Sequence, residues 1–183
     1  MSVTVRKATA ADAAALAGVA AATFALACPP ETTQESIAAF IRENLSETRF
    51  AGYLADSARA LFLAIEAGEA EDAGEHPIGY SMAVFGSPKD EDVAAAITIH
   101  PTSELSKLYV LPEHHGAGVS VALVEAAAAE ARDRGAAGMW LGVNQQNARA
   151  NRFYEKSGFA KVGTKKFLVG ERYEDDFVRE RAL

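Results

Sequence analysis

The stretch that decides the fold runs from Glu104 to Phe159. It opens Glu104-Leu-Ser-Lys-Leu-Tyr-Val-Leu-Pro112 and turns at His114-His-Gly-Ala-Gly-Val-Ser120. An alanine-rich segment carries it to Arg134. Met139-Trp-Leu-Gly-Val143 and Asn147-Ala-Arg-Ala-Asn-Arg-Phe-Tyr154 follow, before Gly158-Phe159. Leu105, Leu108, Tyr109, Val110 and Leu111 make a short apolar run closed by Pro112, which predicts a strand. Gly116 and Gly118 come next, and helical periodicity begins at once. Val119, Leu123, Ala126, Ala127 and Glu130 fall near one helix face. Gly135 suits the C-terminal end of that helix. The whole stretch reads as strand, glycine turn, helix, strand, helix.

A helix entered through a glycine turn leaves its first N–H groups unpaired. Those donors and the helix dipole attract a phosphate, and glycine lets a ligand approach the backbone. A lone G-x-G describes a plain tight turn equally well. Two rival phosphate motifs are excluded. A P-loop needs Lys-Ser/Thr after its second glycine, and none is present. A dinucleotide fingerprint needs a small residue where Val121 stands and an acid about 20 residues on, where Met139 to Val143 holds none.

Working outward, Val3 to Lys7 alternates as a first strand. Thr9-x-x-Asp12 resembles a capping box for a helix running to about Phe24. Pro29-Pro30 breaks the chain. Thr32-x-x-Glu35 is a second capping box, ahead of a helix through Ile37, Phe40, Ile41 and Leu45. Ser46 caps a short helix with Phe50, Tyr53 and Leu54. Leu61 to Ile65 and Ile78 to Phe85 are apolar strands joined by an acidic hairpin loop, Glu69 to Glu75. Gly86 to Thr102 reads as a long polar loop, with Ala94 to Ile99 a candidate short strand. Lys161 to Val169 and Asp176 to Leu183 complete the strands. The compact order is β-α-α-β-β-β-α-β-α-β-β, an α/β fold with a mixed sheet and helices on both faces.

The chain has 183 residues, 49% hydrophobic and 23% charged. That suits a single domain over 1–183 with a full core. No apolar run approaches the ~18–20 residues that span a bilayer. The first residues lack a signal peptide's apolar core, so a cytoplasmic protein without membrane attachment is expected. The sole cysteine, Cys28, leaves no internal disulfide. A net charge of −7 argues against a nucleic-acid partner and suits a cationic one. His114 and His115 are adjacent but have no further ligands at metal-site spacing, so no metal is expected.

The Glu104–Phe159 segment resembles the acetyl-CoA-binding core of the GNAT (GCN5-related N-acetyltransferase) superfamily. That family's turn, Gln/Arg-x-x-Gly-x-Gly/Ala, falls on His115, Gly118 and Ser120, with His115 and Ser120 departing from the usual residues. Asn147-x-x-Ala150-x-x-Phe153-Tyr154-x-x-x-Gly158-Phe159 is similar to the family's second signature throughout. The resemblance implies a mostly antiparallel central sheet and a site for acetyl-CoA. By it, Leu108, Tyr109, Val110, His115, Gly116, Ala117, Gly118, Val119, Ser120, Asn147 and Tyr154 contact that co-substrate. It also implies an acetyl transfer to a primary amine. Dimers are common in the family, so a homodimer fits.

Such a transfer sets three tasks. An ammonium must lose a proton, the thioester oxygen needs donors, and the leaving thiolate gains from a proton. The resemblance gives Tyr154 the last task and Glu104 the first, direct or through water. A core tyrosine and a solvated glutamate at a strand start are the plainer alternatives. The backbone N–H groups of Leu108 to Val110 are candidates for the oxyanion. The resemblance implies that a bulge splays this strand from its neighbour, so that its backbone can pair with the pantetheine arm. Asn147 is a candidate to bond that arm or the strand backbone and also suits a helix N-cap, and the two roles are compatible. Trp140 to Val143, Phe167 to Gly170 with acids beyond, and the paired helices after Pro30 are most similar to bacterial Pai-type spermidine/spermine N-acetyltransferases. Glu31, Glu35, Glu43, Asp175 and Asp176 could line an acidic wall for a polyamine. Protein N-termini, lysines and other small amines are the alternative acceptors. A CoA-binding regulator without turnover is the alternative function.

Overall fold

The computed structural model describes residues 3–67, 75–169 and 171–183. Its strands are β1 (Val3–Lys7), β2 (Arg59–Glu66), β3 (His76–Phe85), β4 (Thr102–Val110), β5 (Gly138–Asn144), β6 (Ala160–Val169) and β7 (Arg172–Ala182). Its helices are α1 (Ala13–Thr23), α2 (Gln34–Asn44), α3 (Glu47–Ala55), α4 (Glu91–Ala96), α5 (Val119–Asp133) and α6 (Ala148–Lys156). The strands form one sheet in the order β1-β2-β3-β4-β5-β7-β6. Every neighbouring pair is antiparallel except β4 with β5.

The run Leu61 to Ile65 is buried on both sides, so its residues divide between two cores. Phe62 and Ala64 pack under α5, with Leu123, Val124, Ala127, Ala128 and Ala131. Leu61, Leu63 and Ile65 pack under α1 and α3, with Leu16, Val19, Phe24 and Phe50. The small side chains of α5 let it lie close on the sheet. Gly79 marks that closeness, because a Cβ there would meet Leu123 Cδ1 at 3.2 Å and the Tyr109 carbonyl oxygen at 2.9 Å.

Several expectations change in detail. Residues 94–99 contain no strand; α4 occupies Glu91–Ala96, because Asp90 caps it, accepting from the Asp92 and Val93 N–H groups. Thr33 rather than Thr32 caps α2, accepting from Ser36 N at 3.1 Å. On α5, Glu130 borders the buried face and pairs with Lys7 and Arg134. Ala10–Ala27 is long and apolar enough to cross a membrane by composition, with mean hydropathy 1.7 over 18 residues, contrary to the expectation from the sequence. In the fold its Leu16, Val19, Ala20 and Phe24 are buried among core residues of the sheet. The acidic hairpin loop falls mostly on 68–74, outside the described residues.

The feature that makes room for a site is a split. β4 and β5 pair only from Thr102 with Gly138 to Glu104 with Trp140. Beyond Glu104 the β3–β4 register shifts, with Met82 opposite Lys107 and Ala83 opposite Leu105, so Ser106 is an extra residue. A bulge of this kind bends its strand and increases its twist. It stands where β4 leaves β5.

Candidate active site

A cleft of about 1380 Å³ passes through the split. On the α5 and α6 side it is lined by Leu108, Val110, His115, Gly116, Gly118, Ser120, Asn147 and Tyr154. On the α1 and α2 side its wall includes Phe24, Cys28, Phe40, Glu43, Lys107 and Tyr109, with Lys165, Phe167, Glu174 and Asp176 from β6 and β7. Glu104 lies where the split begins. The cleft thus joins two differently built halves.

The first half is a backbone surface. Leu111 N–H donates to Ile78 O at 2.8 Å, toward β3. Alternation then turns the N–H and C=O of Leu108 and Val110 away from β3 and into the split. Tyr109 gives its backbone to β3 and its ring to the other half, where it stacks on Tyr80 at 5.6 Å. One carbonyl is already taken, since His115 Nε2 lies 2.8 Å from Val110 O. A carbonyl only accepts, so Nε2 carries the proton. His115 is tied to the strand end.

Gly116 and Gly118 have φ of +86° and +82°, which L side chains rarely adopt. A Cβ on either would meet nothing within 4 Å. Conformation therefore calls for glycine here, and the space before α5 stays open. Gly118 is the N-cap of α5 and brings no capping side chain. Ala122 N–H bonds to Gly118 O, which leaves the N–H groups of Val119, Ser120 and Val121 without helical partners. That cradle fits an anionic group such as a pyrophosphate. Val119 is buried in the core by its side chain, so only its backbone can serve. Ala117 is exposed.

Tyr154 is held by α6. Asn147 caps that helix, its Oδ1 accepting from Ala150 N at 3.0 Å. Asn151 donates to Asn144 O at 2.9 Å and Asn147 O at 3.0 Å, and accepts from Arg179 Nε at 3.1 Å. Arg179 Nη1 also donates to Phe159 O at 3.0 Å. This buried net fixes α6 to β5 and β7. The Tyr154 ring meets Phe153 and Phe159 edge-on, at 5.3 and 5.9 Å. Burial pushes its phenol well above the ordinary value, so it is a proton donor at neutral pH.

The second half is charged and aromatic. Burial raises the Glu104 carboxyl, while Lys165, Lys107, Arg59 and the Ser106 hydroxyl pull it down. Burial lowers the Lys107 ammonium to about 8, with Glu104 opposing. Burial raises the Asp176 carboxyl to about 6; Lys165 opposes and Glu174 and Asp175 add. Burial raises the Cys28 thiol to about 11, which makes it a poor nucleophile. Phe24 stacks on Phe40 at 4.4 Å, and Phe40 meets Phe167 edge-on at 5.9 Å. Of the five acids expected to form a wall, Glu43 and Asp176 line the cleft. Asp175 is exposed and pairs with Lys166. Glu31 and Glu35 are exposed and outside the lining.

The profile of the Acetyltransferase (GNAT) family matches residues 24–159. The chain belongs to this family. This GNAT protein is 46% identical over 172 residues to an uncharacterized N-acetyltransferase of Mycobacterium tuberculosis strain H37Rv. That match covers 94% of this chain and 98% of the relative. It is 33% identical over 100 residues to the streptothricin acetyltransferase of Streptomyces lavendulae, covering 52% of this chain and 53% of that one. Among solved structures, the PaiA N-acetyltransferase of Thermoplasma acidophilum, in complex with coenzyme A, superposes with a TM-score of 0.74. The superposition covers all of both chains at 22% identity, and it shows a shared fold. This GNAT protein is an acetyl-CoA-dependent N-acetyltransferase that acts on a small-molecule or peptide amine.

Sequence reasoning missed Lys107, Lys165 and Glu174 as site residues, along with the aromatic wall. Strand parity held part of the signal. Lys165 and Phe167 share one side of β6, and Glu174 and Asp176 share one side of β7. No local signal marks Lys107 as a half-buried residue of the cleft wall.

Proposed function

We propose that the two halves of the cleft hold the two substrates of a direct transfer in a ternary complex. Acetyl-CoA, when bound, supplies an acetyl group activated as a thioester. The N–H groups before α5 receive its pyrophosphate, with His115, Gly116, Ala117, Gly118, Val119 and Ser120 around it. The backbone groups of Leu108 and Val110 face its arm, beside Asn147. Glu104 takes a proton from the acceptor ammonium, directly or through water, and the freed amine attacks the thioester carbonyl. Leu108 and Val110 direct N–H groups at the oxygen that gains charge. Tyr154 gives its proton to the departing thiolate. The observation that carries this reading is the split beyond Glu104, with Glu104 and Tyr154 lining one cleft across it.

The acceptor is a primary amine, and a polyamine suits the α1 and α2 half best. Glu43, Glu174 and Asp176 offer carboxylates there, and Phe24, Phe40 and Phe167 an aromatic wall for methylene and ammonium groups. The same reading takes residues 1–183 as one acetyltransferase domain working in the cytoplasm. A free-thiol release assay with acetyl-CoA tests it, against spermidine, spermine, lysine, an aminoglycoside and short peptides. Release with spermidine well above background hydrolysis is expected. Release only with a peptide or another amine would keep the transfer and discard the polyamine.

A further inference from the structure

Lys165 has no part in the transfer above, yet it lines the acceptor half of the cleft. It leaves β6 and passes over β5, a strand that is not the neighbour of β6. A Cβ added to Gly142 would meet Lys165 Cε at 2.6 Å, Lys165 Nζ at 3.6 Å and Asp176 Oδ2 at 3.2 Å. Gly142 has no left-handed φ, and the room left by its missing side chain is taken by the end of the Lys165 chain. The Nζ is also 5.3 Å from the centroid of the Phe167 ring. Its charge acts on Asp176 of β7 and, on the far side of the split, on Glu104 of β4. Lys165 therefore holds a primary amine beside the Asp176 carboxylate, in the cleft that Glu104 and Tyr154 also line.

We propose that Lys165 is a self-acetylation site, modified by its own chain when acetyl-CoA is bound and no acceptor fills the cleft. The inference rests on the reading of the cleft given above. Glu104 or Asp176 takes a proton from the Lys165 ammonium. The Nζ lone pair forms a bond to the thioester carbonyl carbon. The carbon–sulfur bond breaks, its electrons leave on sulfur, and the thiolate is protonated by Tyr154. The products are Nζ-acetyl-Lys165 and CoA. Lys107 is the nearest rival among the lysines, but its Nζ faces the Tyr53 ring at 5.8 Å rather than Gly142. Acetylation removes the cation that holds Glu104 and Asp176 toward their ionised forms, so it also changes the site in which it occurs.

The test incubates the whole protein with acetyl-CoA and no amine, then reads intact mass and peptide maps. Wild type should gain one acetyl group, on Lys165, at a rate independent of protein concentration. Adding a good acceptor should slow the gain. Lys165→Arg should remain unmodified, and Tyr154→Phe should be modified more slowly. Acetylation that maps to Lys107 or to exposed lysines, or that rises with protein concentration, would overturn the proposal. Thiol release with amines, run in parallel on the same preparation, separates the two readings. If thiol is released to an amine while Lys165 stays unmodified, only the self-acetylation fails. If CoA does not bind and no thiol is released, both fail.

Discussion

Tyr154 and Asp176 carry charge-state consequences that can be measured. Burial keeps the Tyr154 phenol protonated, so its role is to donate. Tyr154→Phe removes only an oxygen from a ring that packs on Phe153 and Phe159. Turnover should fall by roughly 10²-fold, in the range of a lost general acid. CoA affinity measured by calorimetry should hardly change, and a parallel fall in affinity and thermal stability would make Tyr154 structural. Asp176 concerns stability instead. Its carboxyl is raised to about 6 in the fold, so the fold favours its neutral form. Stability from this group is fully present below about pH 4 and is lost as pH rises through about 6. The penalty at neutral pH is roughly 3 kcal/mol at most. Asp176→Asn should match wild type in urea midpoint near pH 4 and surpass it progressively toward pH 7. A difference that stays constant with pH would remove Asp176 from this account. That Tyr154 and Glu104 line one cleft was legible from the second signature and from the strand containing Glu104. Lys165 was not, because its position depends on Gly142, Asp176 and Glu104, which come from three other strands.

At the scale of elements, local chemistry decided most boundaries. Hydrophobic runs set the strands, and caps and glycines set the ends of helices. The exceptions are instructive. Residues 94–99 were a candidate short strand, but Asp90 offers its carboxylate to two N–H groups and starts α4. The bulge at Ser106 leaves no trace in composition, because it is a mismatch between two strands. Two substitutions probe this scale. Thr33→Ala should cost about 1 kcal/mol of stability through the lost cap of α2, read from chemical denaturation, with CoA binding unchanged. Gly118→Ala places a Cβ at a φ of +82°, at a strain of about 1–2 kcal/mol. It also puts a methyl group before the free N–H groups of α5. CoA affinity should therefore drop by ~10-fold or more. An unchanged affinity would mean that the phosphates do not sit there.

At the scale of the whole molecule, the described residues form two large cores on opposite sides of the sheet, a smaller cluster of Val93, Ile97, Trp140 and Val178, and a split between β4 and β5. A ligand that fills the split ties the two halves together and binds only the folded chain. At a concentration one hundred times its dissociation constant, CoA should add about 2.7 kcal/mol. For a chain of this size that is a rise of roughly 5–10 °C in melting temperature by scanning fluorimetry. No shift at saturating CoA would contradict the assignment of the cleft.

The split has a second consequence, for solubility. A sheet with unpaired backbone along β4 and β5 has internal edges as well as outer ones, and exposed edges are templates for pairing with other chains. Charges and glycine blunt them here only in part, since Leu108, Tyr109 and Val110 adjoin one side. The empty enzyme is then more prone to strand addition between molecules than the loaded one. On gentle heating below the melting temperature, light scattering should grow sooner without CoA. The co-substrate would act as a guard against aggregation as well as a donor of acetyl groups.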